Sequence, residues 1–539
     1  MAPKIEIAAP AWVRNDGRTI RGLDLLALRA PAMRIGNALL DGITTVTPNI
    51  RYLGVLCWIT KVYWEQRGSD DYQDYLQFAR SVESAIVFGN LLVNPAATGL
   101  VGSDDASGTL LGEGPVSLAS QVKAIATTIY AGPAEQLGLI SYSPTTDVPR
   151  LTASRGMKLA NAMHQAARKT ALGRKFSEGN IPSSASREEL SELGAALELQ
   201  ELPDSERDVL IDVLMPKEPI DQTERSRTGT YATLMALAPP LIEPTPDNPR
   251  TLLDTASSRS RKVPKELYSV LDDWALYHVR DLLAVIHERA LSRFLESLRG
   301  TNQTTGGPVD YNQVIQSALA LNTPQDTGLK DLGLLEDGEK WSSLRFRDLA
   351  CRIDAATNTD LKLDNGLRRW NQGIQECDVI RSANSAGDGV FALLPVAWLH
   401  VIRRTEDGIS SGSEGFEALS RQPFARLGVR EVLIPWKERC LAENQLLPEI
   451  VAELIETTVT QHLRTAWSRM ALDPMKDVAL LVTDGLLWQA RGQFSGGRTN
   501  SRLRQAAGWL TQLQLLESGS VTERGTNALN RAVNILASS

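Results

Sequence analysis

The side chains best equipped for chemistry are five histidines, His164, His278, His287, His400 and His462, together with a few serine and carboxylate motifs. His278 and His287 stand nine residues apart. At about 100° per residue a helix places them on opposite faces, so they cannot share a metal ion. None of the five has metal-ligand spacing, and each reads as a surface or half-buried side chain. The string "GISSG" at 408–412 satisfies G-x-S-x-G with Ser410 as nominal nucleophile. That motif works when a buried strand delivers the serine to a sharp turn, whereas here charged "RRTED" precedes it, so 407–415 reads as a polar loop. "DLKL" at 360–363 offers the carboxylate-x-lysine element of metal-dependent nucleases in Asp360 and Lys362, with Asp348 and Asp354 upstream. Such enzymes carry the pair on a strand, and "DAATNTDLKLDNG" is too polar to predict one. No G-x-x-x-x-G-K-[ST] and no strand-linked G-x-G-x-x-G occurs, so any energy source is expected to be a partner. No catalytic residue, metal or cofactor follows from these motifs.

The elements that would have to position such groups are helical. With 539 residues the chain has room for about three or four domains. Its 42% hydrophobic and 22% charged residues are ordinary for folded proteins, and a net charge of -7 gives no global attraction to phosphate. Nucleic-acid contact would need a local basic patch. The cysteines, Cys57, Cys351, Cys377 and Cys440, form no CxxC pair and suggest neither a zinc knuckle nor a disulfide framework. The opening "MAPKIEIAAPAWVRNDGR" has no apolar core of a signal peptide, so the cytoplasm is the expected location.

One stretch stands out, "LLDGITTVTPNIRYLGVLCWITKVYWEQRG" at 39–68. Thr47 followed by Pro48 predicts a helix start, since threonine can cap a free N–H and proline suits the first turn. The apolar block between Arg51 and Lys61 falls short of the ~20 residues a membrane span needs. Its apolar side chains surround the helix, which predicts a core helix with Trp58 inside and no membrane contact. Further helices are predicted over 70–93, 116–130 and 153–175, and two short ones over 186–215 capped by Ser186 and Asp204. The longest periodic helix starts near Pro264 and ends at Gly300. Five prolines in "APPLIEPTPDNPR" mark a connection. The expected domains are 1–237, a proline-rich and basic linker at 238–262, a central helical domain at 263–410, and a C-terminal domain at 411–539.

The run "RGLDLLALRAPAMRIGNALLDGITTVTPNIRYLGVLCWI" resembles the N-terminal region of large, mostly helical bacterial proteins associated with anti-phage defence gene clusters, over roughly the first 70 residues. That resemblance implies a setting and no mechanism. At the other end, "FSGGRTNSRLRQAAGWLTQLQLLESGSVTERGTNALNRAVNIL" resembles the second half of a winged helix-turn-helix domain, giving a module at about 470–539. Thr499 or Asn500 would cap a helix with Leu503, Ala507, Leu510 and Leu513 as its apolar stripe. "LLESGSVT" predicts a hairpin with Ser518 and Gly519 at its tip, followed by a closing helix capped by Thr522. Arg498, Arg502, Arg504, Gln505 and Arg524 are the candidate contacts to double-stranded DNA. The same module equally serves protein assembly.

The chain is thus expected to be a mainly α, multidomain protein with a C-terminal winged-helix-like module. It would act as a non-catalytic component of a bacterial defence complex that binds DNA, a protein partner, or both, the partner being an ATPase or nuclease encoded nearby. The alternatives are a metal-dependent nuclease and a protein-only scaffold. If 238–262 is an exposed connection, limited trypsin digestion should cut first at Arg259, Arg261 or Lys262 and give fragments split near residue 260. Early cuts elsewhere, with this segment resistant, would refute the linker.

Overall fold

The computed structural model describes residues 18–21, 23–112, 114–118, 125–237, 263–320, 322–362, 368–374, 376–385, 387–411, 427–473, 477–499 and 502–538. The expected linker at 238–262 lies outside them. Helices dominate, and the strands form small sheets of two or three members. Among the described residues no helix is long and apolar enough to cross a membrane. The chain divides into two compact units built from interleaved segments. The first comprises Met1–Ile35, Leu253–Lys262 and Leu271–Thr499, the second Gly36–Leu252, Val263–Val270 and Asn500–Ser539.

In the second unit the core helix is Tyr52–Gln66, and Trp58 is 1% exposed within it. The helix starts four residues later than Thr47-Pro48 predicts. The Thr47 hydroxyl is spent on Thr44, accepting its N–H at 3.1 Å, and Thr47–Arg51 runs as buried irregular chain except for exposed Pro48. Arg51 then places its guanidinium on Glu206 through two bonds of 2.8 Å, and on the carbonyls of Ala196, Glu198 and Glu201. Helix Tyr72–Val93 is capped by Asp71, and helix Arg187–Ala196 by the expected Ser186 with Glu189 completing a capping box. These two helices cross at Gly89 and Gly194, where a Cβ on either would collide with the other's backbone. The expected helix over 116–130 is instead a strand, Val116–Ser117, paired with Ser184–Ala185, followed by helix Ala126–Gln136. Buried Glu83 accepts from the Ala126 and Thr127 N–H groups and holds that helix start. The expected 153–175 helix is two, Gly156–Ala167 and Ala171–Ser177, because Thr170 caps the second. Helix Asp204–Leu214 has Pro203, not Asp204, at its cap.

From Leu271 onward the long helix Tyr268–Thr305 belongs to the first unit, and it passes through Gly300 rather than ending there. From Val279 onward it carries one side of a continuous apolar core that also takes in Leu25, Leu26, Trp341, Trp398 and Leu454. Strand Gly492–Ser495 pairs in parallel with Arg18–Arg21. A buried ion pair joins Arg29 to Glu288, and Glu288 also accepts the Gly497 N–H at 3.1 Å. Gly496 is glycine of necessity, since a Cβ there would press on Glu288.

Three expectations about chemical motifs are corrected. Residues 360–362 do lie on a strand, Thr357–Lys362, paired antiparallel with Arg368–Gly373 and irregular around Asp360. The pairing partner, not local apolarity, makes this polar segment extended. Ser410 sits on helix Leu393–Ser411 rather than in a loop, and no strand delivers it. Four histidines are fully buried, His278, His287, His400 and His462, where surface or half-buried positions were expected. For two of them hydrogen bonds replace water: the Leu480 N–H donates to His462 Nε2 at 3.1 Å, and His287 is bonded on both ring nitrogens. The Trp398 indole N–H donates to His287 Nε2 at 2.7 Å, which leaves the proton on Nδ1 to donate to Thr458 Oγ1 at 2.8 Å. Thr458 passes the chain on to the Leu454 carbonyl.

Burial drives the His287 imidazole down to about 3. The unfolded chain takes this proton at about 6.5, so the residue costs nothing above that pH and destabilises the fold as the pH drops below it. His287→Gln, which keeps an acceptor and a donor, should flatten the fall in unfolding free energy between pH 6 and 4 by up to about 1.4 kcal/mol per pH unit. Urea melts across this range test it, and parallel curves for the two proteins would remove His287 from the acid response.

Candidate functional site

The C-terminal residues form helix Leu503–Gln512, strands Leu516–Glu517 and Ser520–Val521, and helix Glu523–Ala537. The first helix stops because Gln514 turns left-handed (φ +53°), letting the Leu515 N–H reach back to the Leu510 carbonyl at 2.9 Å. Ser518 and Gly519 both have positive φ, the condition for a tight two-residue hairpin. Thr522 then works twice. Its hydroxyl donates to the Gln514 carbonyl at 2.6 Å and accepts the Gly525 N–H at 3.0 Å, so it closes the hairpin and caps the last helix, as expected. The final helix buries Ala528 and Ala532 and packs on helix Gln222–Ala236.

The face of Leu503–Gln512 is mixed rather than purely apolar. Leu503, Ala506, Trp509 and Leu510 are buried, while Gln505, Trp509 and Gln512, spaced to share one side of the helix, carry polar tips. Each tip meets the irregular chain before the core helix. Gln505 Nε2 donates to the Thr45 carbonyl at 3.1 Å, Trp509 Nε1 to that of Thr47 at 2.9 Å, and Gln512 Nε2 to that of Pro48 at 2.8 Å. Gln512 Oε1 in return accepts the Ile50 N–H at 2.9 Å. Two further bonds come from the closing helix, Arg524 to Asp204 at 2.9 Å and Arg531 to Asp212 at 2.8 Å. Arg524, with Arg207 beside it, holds the Asp204 carboxyl below its ordinary range.

The five candidate residues therefore fall into different environments. Arg498 belongs to the first unit, where it pairs at 3.5 Å with fully buried Asp281. The same Asp281 accepts the Thr499 N–H at 2.8 Å, so Thr499 is no helix cap. Arg502 occupies the cap position with φ +61° and is half-buried. Gln505 and Arg524 are engaged within the second unit, as above. Arg504 alone of the five is exposed. Sequence reasoning missed Trp509, Gln512 and Arg531. The i, i+4, i+7 recurrence of Gln505, Trp509 and Gln512 is the signal that carried the first two, and Arg531 had none.

Elsewhere, no group of three histidine, cysteine, aspartate or glutamate side chains able to hold a metal occurs among the described residues. Asp354 pairs with Arg403 at 3.1 Å, and Asp348 is exposed. Comparison with protein-family models, with curated proteins and with solved structures returns no match.

Removing the Gln512 amide strands the Pro48 carbonyl and the Ile50 N–H. Gln512→Ala should therefore lower stability by about 2 kcal/mol, whereas Arg504→Ala should stay within about 0.5 kcal/mol of wild type. Denaturant midpoints of the two variants test this, and equal midpoints would show that the Gln512 bonds do not hold the module.

Proposed function

We propose that the chain is a non-catalytic subunit of a bacterial anti-phage defence assembly, and that its C-terminal module is a winged-helix-like fold whose exposed side docks a partner protein. The order helix, hairpin, helix supports the winged-helix reading. The observation that carries the choice of a protein over DNA is the chemistry of the surface left open. On the closing helix the exposed positions Thr526, Asn527, Asn530 and Asn534 are uncharged, and the hairpin region exposes Glu517 and Glu523. Amides and carboxylates recognise peptide groups and basic side chains, while DNA affinity comes largely from cations that neutralise phosphates, and carboxylates oppose it. Two of the residues proposed for DNA, Gln505 and Arg524, already serve the packing of the second unit.

A DNA-binding reading has one observation in its favour, the exposure of Arg504 on the first helix of the module. A nuclease reading has another, the placement of Asp360 and Lys362 on a strand. The three separate experimentally. Coexpressed with its neighbouring genes, the wild-type chain should copurify with a partner, and Asn530→Lys with Asn534→Lys should abolish this while leaving the melting temperature unchanged. In gel-shift titrations at two salt concentrations, Arg504→Ala should match wild type. A weaker complex with a log-log salt slope reduced by roughly 0.9 would instead assign a phosphate contact to Arg504. Magnesium-dependent cleavage of plasmid DNA by the purified chain would make it an enzyme.

A further inference from the structure

The molecule offers two polar cavities with an arginine that lacks a protein partner among the described residues. One, of about 770 Å³ in the second unit, is lined by Arg67 and Arg80 but also by Asp71 and Asp74, so its formal charges cancel. The other, of about 320 Å³ in the first unit, has among its described lining residues Arg289, Arg293 and one carboxylate, Glu296. Glu296 is already bonded to Arg293 at 2.7 Å. The balance there is positive, and the excess charge sits on Arg289.

Arg289 and Arg293 stand one turn apart on the long helix Tyr268–Thr305, so both project to the same side. Strand Gly492–Ser495 forms a second wall and the end of helix Glu376–Ser385 a third, contributing Ser495 and Asn384. Ser292 Oγ donates to the Phe494 carbonyl at 2.8 Å and ties helix to strand, so the walls are fixed. Arg289 Nε is sealed from solvent and has no hydrogen-bond partner. The rest of this half-buried side chain lines the cavity, and no hydrogen bond or ion pair among the described residues occupies its two amino groups, so they are open to an acceptor that enters.

We propose that this cavity binds the phosphoryl group of a small ligand, with the Arg289 fork as its principal anchor and Asn384 and Ser495 as neutral donors. The planar five-donor fork matches phosphate oxygens two at a time. The volume lies at the lower end for ligand pockets and exceeds a lone ion, leaving room for a short organic or second phosphoryl portion. The site is independent of the C-terminal module and of the function proposed for it.

Pyrophosphate is the probe, titrated calorimetrically into the full chain at low salt. Wild type should bind it. Arg289→Met should weaken binding about tenfold or more, the range expected when a charge-assisted hydrogen bond is lost. Arg289→Lys, which keeps the charge without the fork, should fall between. Arg80→Met, in the neutral cavity, should match wild type. Absence of binding by wild type, equal affinity for Arg289→Lys and wild type, or loss of binding in Arg80→Met would each overturn the assignment. Should Arg289→Met fail to fold, the Arg289→Lys comparison decides alone.

Discussion

A buried stretch of chain with no regular structure must still find partners for its backbone N–H and carbonyl groups, and the second unit is organised around meeting that demand at Thr47–Arg51. The first turn of the core helix takes up only the Asn49, Ile50 and Arg51 carbonyls, so side chains supply other bonds. Tyr130 accepts the Asn49 N–H, Gln512 accepts the Ile50 N–H, and Trp509 and Gln512 donate to the Thr47 and Pro48 carbonyls. Asn49 in turn reaches the carbonyls of Thr98 and Gly99. Arg51 gathers three carbonyls and a glutamate that belong to the ends of two further helices. Segments far apart in sequence meet here because each brings one group that the irregular chain lacks.

That arrangement bears on how the C-terminal module can work. A helix whose polar tips are spent on backbone groups cannot turn them to a nucleic acid without breaking the packing of its own unit. The closing helix and hairpin display asparagines, a threonine and two glutamates, and the first helix displays Arg504. The first unit shows the same economy in a different form. Its buried His287 and His462, its Arg29–Glu288 pair and its Arg498–Asp281 pair are interior because each has a designated partner. Arg289 Nε departs from that pattern, as do the polar tips of Tyr311, Trp436 and Trp488.

Much of the architecture could be read from the sequence where the signal was local. Periodicity located the helices around Tyr75 and Leu282, Ser186 and Thr522 capped as their types require, and Ser518-Gly519 turned the hairpin. What escaped was set by distant partners. Thr47-Pro48 has every local mark of a helix start, yet its neighbours bond to residues more than 450 positions away. The polar strand Thr357–Lys362 exists by virtue of Arg368–Gly373, and His287 is buried only because Trp398 and Thr458 complete it. For the candidate site, Arg504 was legible as an exposed cation, whereas the engagement of Gln505 and Arg524 depends on carbonyl and carboxylate groups that no periodicity announces.

The sequence separation across the Gln512–Pro48 bond is 464 residues. A ribosome adds about 5–20 residues per second, so Pro48 is synthesised roughly 20 to 90 seconds before Gln512. Throughout that interval the helix holding Trp58 can form, but the chain leading into it has no protein partner for the Thr47 and Pro48 carbonyls or the Ile50 N–H. The second unit is therefore finished only after the intervening first-unit segments have emerged. Its half-built state, with a sticky apolar helix beside an unsealed backbone, is the form that chaperones and proteases encounter. Termination just before Trp509 would leave a product that holds the core helix and the whole first unit and still lacks its seal.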